Sequence, residues 1–270
     1  MPENARALLP HLYRFRGVAL TAAITIATLW FAVSGRLVYF VNPAYVAFTI
    51  VMGVIALAFC VAWAVVLIRR ERPRGRHGQV HDHELEDDAA PRGVPARIGA
   101  AVAGLIGLGM VVGMIVLPPA TLSSATAIQR DVAAATVTGG ADLGSARKAS
   151  TAVFARFTVR DWASLLAQTS DPSFYDGKPV DLTGFVSPDP SGSDDVFYLS
   201  RFVVTCCAVD AQPVGVPVYQ PGWQGTLKAN QWVRVTGGFT ANQSTDSDAP
   251  IALTPTRLIR TDVPTQPYLY

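Results

Sequence analysis

The stretch that decides the fold is residues 45–68, YVAFTIVMGVIALAFCVAWAVVLI, which runs for 24 residues without a charged side chain. Two further uncharged apolar runs are residues 17–34 and residues 98–117. An α-helix rises about 1.5 Å per residue, so roughly 20 apolar residues cross the hydrocarbon core of a bilayer. Helices of a globular domain usually carry a polar stripe, and these runs have none. The sequence therefore predicts three transmembrane helices.

The distribution of arginines predicts how these helices are oriented. Three arginines precede the first run, seven lie in residues 69–97, and only Arg36 lies between the first two runs. Loops rich in Lys and Arg stay in the cytoplasm. We therefore expect a cytoplasmic N-terminus, a cytoplasmic loop at 69–97 and an extracytoplasmic C-terminal part in a bacterial cell membrane. A cleaved signal peptide is the alternative for the first run, but that run exceeds the usual apolar length and lacks a small-x-small cleavage site.

Composition divides the chain into three predicted parts. Residues 1–118 form the membrane domain, which ends at the helix-breaking pair Pro118-Pro119. Residues 119–155 include AAATVTGGADLGSARKAST, which is small, polar and without a period, so we expect a flexible tether. Residues 156–270 are expected to form a small extracytoplasmic β domain.

The β domain is predicted from alternating patterns. Asp161 is expected to cap a short helix over 161–167, and five strands follow at 180–186, 196–205, 214–219, 231–239 and 251–259. Five short strands with glycines inside them favour an OB-like β-barrel, with a small β-sandwich as the alternative. Residues 118–270 hold 11 Lys and Arg against 13 Asp and Glu, so they lack the basic surface that nucleic acid requires. We expect membrane lipid, and no nucleic acid, as a partner.

The double cysteine Cys206-Cys207, followed by Asp210, is the main candidate site. Three interpretations stay open: two buried packing residues, a strained vicinal disulfide, or a site for Zn²⁺ or Cu⁺. A strand points adjacent side chains to opposite faces, so joint ligation requires the chain to turn at this place. The domain contains no histidine, so a complete zinc site would need carboxylate ligands or a partner chain.

Two further features are candidates for binding. His77, His81 and His83 lie among acidic residues in the loop 69–97, and such a tract is a candidate for loose metal binding, with a solvated polar loop as the alternative. Gly109 and Gly113 form a Gly-x-x-x-Gly motif in the third apolar run, which is typical of close helix packing in lipid. They are expected to contact either the other helices of this chain or a partner subunit.

Three segments carry a resemblance to a known family. They are LPPATLSS at 117–124, YDGKPVDLTGF at 175–185 and RFVVTCCAVDA at 201–211. They resemble the YcgQ-like family of predicted bacterial permease subunits, three-span membrane proteins whose function is uncharacterised. The resemblance implies a non-catalytic accessory subunit beside a larger polytopic permease, with links to metal homeostasis in some members. No common hydrolase, phosphate-binding or metalloprotease motif occurs, so we expect no enzyme. The alternative function is an extracytoplasmic metal-binding or thiol-redox module that acts without a permease.

Overall fold

The computed structural model describes residues 4–70, 109, 113, 122–130 and 139–270. They fall into two units. The helical unit combines Met1–Val38 with Pro43–Pro119, and the β unit combines Tyr39–Asn42 with Ala120–Tyr270. We call the four residues Tyr39–Asn42 the link. They belong to the β unit, although in sequence they lie between two segments of the helical unit.

Two long helices make up the described part of the helical unit: α1, Asn4–Val33, and α2, Pro43–Arg70. Pro43 opens α2, where a missing N–H costs no hydrogen bond. The two helices pack closely at Gly53, since a methyl group added there would lie 2.9 Å from a side-chain carbon of Leu29. Small size at this position lets the helices approach.

One of these helices is long and apolar enough to cross a membrane. It is Pro43–Val66, with a mean hydropathy of 2.6, and none of its most apolar window is buried. A core helix of a globular domain would be mostly buried, which α2 is not. The apolar part of α1, Gly17–Val33, is shorter. This pattern gives the chain one candidate membrane anchor among the described residues.

The predicted fold class of three transmembrane helices and an OB-like β-barrel is therefore wrong. The described residues contain one helix of spanning length rather than three, and the sheet has six strands in a mixed arrangement. The third apolar run, residues 98–117, lies outside the described residues apart from Gly109 and Gly113. Charge-free composition led to the prediction, but composition alone does not fix the number of spanning helices.

The sheet contains five long strands and one short strand. Their bounds are β1 Val180–Pro188, β2 Val196–Val203, β3 Gln212–Tyr219, β4 Trp232–Ala241, β5 Ile251–Arg260 and β6 Tyr268–Leu269. The order is β1-β4-β5-β3-β2-β6, and β1 also pairs with β2. The pairs β3–β5 and β2–β6 are parallel, and the others are antiparallel. The five strands predicted from alternation are present, with shifted ends, and β6 is an addition.

Helix α6, Val159–Gln168, covers one end of the core. Its cap is Thr158 and not the predicted Asp161: Thr158 accepts from the backbone N–H of Asp161, while the Asp161 carboxylate accepts from the backbone N–H of Thr158. This reciprocal arrangement is a capping box, which satisfies two N–H groups that the first helical turn leaves free. It fixes the helix so that Trp162 and Leu165 are fully buried against the sheet.

Short helices also occur in the segment 119–155, for which we expected a tether. They are α3 Ser124–Gln129, α4 Leu143–Ala146 and α5 Thr151–Phe154, while α7 Pro172–Tyr175 follows α6. Ala127, Ala146 and Phe154 are buried in the β unit. The described part of this segment therefore packs against the sheet.

Candidate functional site

The two cysteines lie in a turn that leaves the sheet at the end of β2. Val204 is buried, Thr205 and Cys206 are exposed, and a short 3-10 turn at Ala208–Asp210 leads into β3. We call residues 204–207 the cysteine turn. The chain therefore turns directly after β2, as ligation of one ion by both cysteines requires.

Asp210 stabilises this turn by accepting hydrogen bonds from its backbone N–H groups. Oδ1 accepts from Thr205 at 3.1 Å, while Oδ2 accepts from Cys206 at 2.7 Å and from Cys207 at 3.4 Å. In return, the N–H of Asp210 donates to the Cys207 carbonyl at 3.0 Å. Three consecutive peptide groups thus point toward one carboxylate.

The link lies along the other side of the cysteine turn. Val41 and Cys207 form an antiparallel bridge, in which Asn42 N donates to Cys206 O at 3.0 Å and Ala208 N donates to Phe40 O at 2.8 Å. The side-chain amide of Asn42 donates to the carbonyls of Val204 and Thr205 at 3.2 and 2.9 Å. Sequence reasoning missed Asn42. The Asn-Pro pair signals a turn before a helix, but not its contact with residues more than 160 positions away.

The two thiols and the Asp210 carboxylate converge on one point. Their potential ligand atoms all lie within 4.8 Å of one another. Both cysteines are free thiols; Cys206 is exposed and Cys207 is half-buried. The interpretation of two buried packing residues therefore fails for Cys206, and the vicinal disulfide is not formed.

Hydrogen bonding controls the protonation of the site. The pKa of the Cys206 thiol is raised to about 11, first because the thiol donates to Asp210 and next because it contacts Cys207. Burial alone would raise the pKa of Asp210, but hydrogen bonds from the Cys206 thiol and from three backbone N–H groups outweigh it and leave that pKa below its usual value. At neutral pH the site consists of a carboxylate that holds a protonated thiol.

A count of acceptor positions shows what this arrangement can do. An ionised carboxylate offers about four lone-pair positions. Three take the backbone N–H groups of the turn, and the fourth takes the thiol proton of Cys206. A metal ion bound by two thiolates and one carboxylate oxygen would displace the thiol protons of both Cys206 and Cys207 to solvent and would leave the backbone bonds intact. The donor set fits Zn²⁺, which takes sulfur and oxygen ligands in a tetrahedral arrangement.

The remaining predicted residues do not join this site. His77, His81 and His83 lie outside the described residues. Gly109 and Gly113 are helical, and a methyl group built on Gly109 would meet no atom within 4 Å among the residues the structure describes. Arg201, a neighbour in sequence, donates instead to the carbonyls of Pro267 and Gln266 near the C-terminus.

Comparison with known families assigns both halves of the chain. Residues 15–133 match the DUF1980 N-terminal domain, and residues 148–270 match the DUF1980 C-terminal domain. The chain carries both DUF1980 domains. The C-terminal match contains the entire Cys206–Asp210 cluster. No curated protein and no solved structure matches this DUF1980 chain.

Proposed function

We propose that this DUF1980 protein is a membrane-anchored module that binds Zn²⁺ through Cys206, Cys207 and Asp210. The observation that carries the proposal is the convergence of two free thiols and one carboxylate within 4.8 Å. A tetrahedral zinc ion with Zn–S bonds of about 2.3 Å separates two sulfur ligands by roughly 3.8 Å. Two sulfur atoms as far apart as 4.8 Å would have to approach each other by about 1 Å.

The choice of Zn²⁺ over Cu⁺ rests on the carboxylate. Cu⁺ prefers soft thiolate and thioether ligands, whereas Zn²⁺ accepts both sulfur and carboxylate oxygen. Three protein ligands leave a fourth position for water or for a donor from another molecule, and the exposure of Cys206 keeps that position accessible. Such an open site suits an ion that is received and passed on.

The site is proposed to face away from the cytoplasm. Arginines are concentrated at the C-terminal end of α2 and just beyond it, at positions 69 to 76, which favours a cytoplasmic location for that end. The link, which pairs with the cysteine turn, directly precedes the opposite end of α2.

The role of accessory subunit beside a larger permease, without catalysis of its own, stays a prediction. It rests on the YcgQ-like resemblance. An ion-binding module on the extracytoplasmic side of the cell membrane is compatible with an accessory subunit. It is equally compatible with the alternative, a module that acts alone. Copurification of a polytopic partner in near-equal amount after mild detergent extraction separates the two.

Chelator competition on the full-length protein in detergent tests zinc binding. We expect one Zn²⁺ per chain, with the affinity lost in Cys206→Ser and Cys207→Ser and unchanged in the control Cys60→Ser, whose thiol lies in α2. Asp210→Asn is expected to weaken Zn²⁺ binding, because it removes one ligand and one acceptor of the turn. Equal zinc binding by the parent and by Cys207→Ser would contradict the proposal.

A phosphatase fusion tests the location. The enzyme fused after Tyr270 should be active outside the cytoplasm, and the same enzyme fused at Gly78 should be inactive. The reverse pattern would contradict the extracytoplasmic site.

A further inference from the structure

The cysteine turn is held from two opposite sides by two residues that are distant in sequence. On one side Asp210 accepts from the N–H groups of Thr205, Cys206 and Cys207. On the other side Asn42 donates to the carbonyls of Val204, Thr205 and Cys206. Asp210 therefore accepts hydrogen bonds from the N–H groups of the turn, and Asn42 donates hydrogen bonds to its carbonyl groups.

We propose that the link is part of the ion site and that Asn42 is its positioning residue. This inference rests on the proposed function. It adds a residue that lies far from the strands in sequence, and it predicts that the link and the ion site influence each other. Asn42 touches neither thiol through its side chain. It acts by fixing the peptide groups from which both thiols project.

The turn has few other anchors. Val204 is buried, but Thr205 and Cys206 are exposed and pack against little. Where the side chains are exposed, backbone hydrogen bonds decide the conformation, and a carbonyl that loses its donor is free to rotate toward water. Without the Asn42 amide the carbonyls of Val204 and Thr205 lose this donor, and the turn can move away from Asp210.

Two measurable properties depend on this geometry. Protection of the Cys206 and Cys207 amide protons requires both N–H groups to reach the Asp210 carboxylate. Ion binding requires both thiols and the carboxylate to reach one ion. A partner that supports metal ligands without touching the metal typically changes affinity by about 10- to 100-fold when it is removed.

The coupling also works in reverse. If docking of the link favours ion binding, ion binding favours docking of the link by the same factor. The link is covalently continuous with Pro43, the first residue of α2. Ion binding should therefore slow the hydrogen exchange of the Ala208 amide and of the Asn42 amide, which lies directly before the first residue of α2.

The test compares variants of the full-length protein in detergent. Asn42→Ala removes the amide, and Asn42→Gln restores an amide with a longer side chain. The matched control is Asn242→Ala, since the Asn242 amide donates in the same way to a backbone carbonyl, that of Ala249 at 2.8 Å, in another loop of the β unit. The probes are hydrogen–deuterium exchange of the Cys206 and Cys207 amides, read by mass spectrometry, and Zn²⁺ with a competing chelator.

We expect Asn42→Ala to speed hydrogen exchange of the Cys206 and Cys207 amides about tenfold, because the turn loses two hydrogen bonds from the Asn42 side chain. Zinc affinity should fall about 10- to 100-fold. Asn42→Gln should recover part of both effects, and Asn242→Ala should change neither.

Unchanged amide exchange in a folded Asn42→Ala protein would overturn the positioning role, whatever its zinc affinity. If the parent binds no zinc but Asn42→Ala still speeds the exchange, the proposed function falls and the positioning role stands. If Asn42→Ala does not fold, Asn42→Asp, which keeps the size but lacks the side-chain N–H donor, decides: exchange faster than in the parent supports the role of the amide, and parent-like exchange contradicts it.

Discussion

The aromatic core of the β unit and the cysteine turn are held by different kinds of contact. In the core, the Trp162 ring lies 5.7 Å from Phe154, 5.5 Å from Phe157, 6.4 Å from Tyr175 and 5.1 Å from Phe239, and Trp162 is completely buried. In the turn, Cys206 is exposed and the fixed atoms are backbone N–H and carbonyl groups. Side chains stabilise the first region, and hydrogen-bonded peptide groups shape the second.

Because of this difference, substitutions that affect folding stability and substitutions that affect the thiols should fall in different regions. Changes in the core should alter the free energy of unfolding and leave the thiols as they are in any molecule that still folds. Changes in the turn should alter thiol reactivity and ion binding at little cost to folding. The predictions below test this separation, beginning with the largest effect on stability.

The largest effect is expected from Trp162→Ala. Removing a fully buried tryptophan leaves a cavity among the surrounding aromatic rings and costs about 3–5 kcal/mol of folding free energy. Trp63→Ala makes the same chemical change on α2, where the side chain is 58% exposed, and should leave the β unit unaffected. Chemical unfolding monitored by near-UV circular dichroism measures both. Similar losses in the two variants would contradict the assignment of Trp162 to the core.

A smaller pair compares the core with the 3-10 turn that follows the cysteines. Val186 in β1 is fully buried, whereas Val209, in the 3-10 turn Ala208–Asp210, is 82% exposed. Val186→Ala should destabilise the protein by about 1–3 kcal/mol, because buried methyl groups are lost and a cavity remains. Val209→Ala should stay within about 0.5 kcal/mol of the parent, as surface changes do. A loss at Val209 as large as that at Val186 would show that the side chain of the 3-10 turn is packed.

The smallest effect on stability, and the largest on reactivity, is expected from Asp210→Asn. The Cys206 thiol has a pKa of about 11, mainly because it donates to the Asp210 carboxylate. With a neutral amide in place of the negative charge, the pKa falls toward the ordinary thiol value of about 8.5, so alkylation at pH 8 should be at least tenfold faster. Mass spectrometry of the Cys206 peptide measures the rate. Alkylation with the parent pH profile would disprove the carboxylate–thiol contact.

The strands of the β unit could be predicted because β1 alternates and β2 to β5 are runs of eight to ten residues rich in apolar and β-branched side chains between turn formers. Strand β6 has two residues, Tyr268 and Leu269, and two residues show no pattern. The four- to six-residue helices of the segment 119–155 were missed for the same reason. The cap of α6 was misplaced by three residues because both Thr158 and Asp161 take part in the capping box.

The candidate site could be predicted only in part. Cys206, Cys207 and Asp210 are close in sequence, so a turn was enough to bring them together. Asn42 reaches the same turn through pairing of backbone atoms across more than 160 residues, and such pairing leaves no trace in composition or spacing. Among the described residues only one helix is long and apolar enough to cross a membrane, so freedom from charge was not a sufficient criterion.

X-ray absorption spectroscopy of the zinc-loaded full-length protein tests the central claim most directly. The account predicts two Zn–S distances of about 2.3 Å, with oxygen ligands at about 2.0–2.2 Å from Asp210 and from the open position. Cys207→Ser should remove one of the sulfur neighbours. A zinc ion surrounded only by nitrogen and oxygen, as the histidine tract at His77, His81 and His83 would provide, would contradict the assignment of the site to Cys206, Cys207 and Asp210.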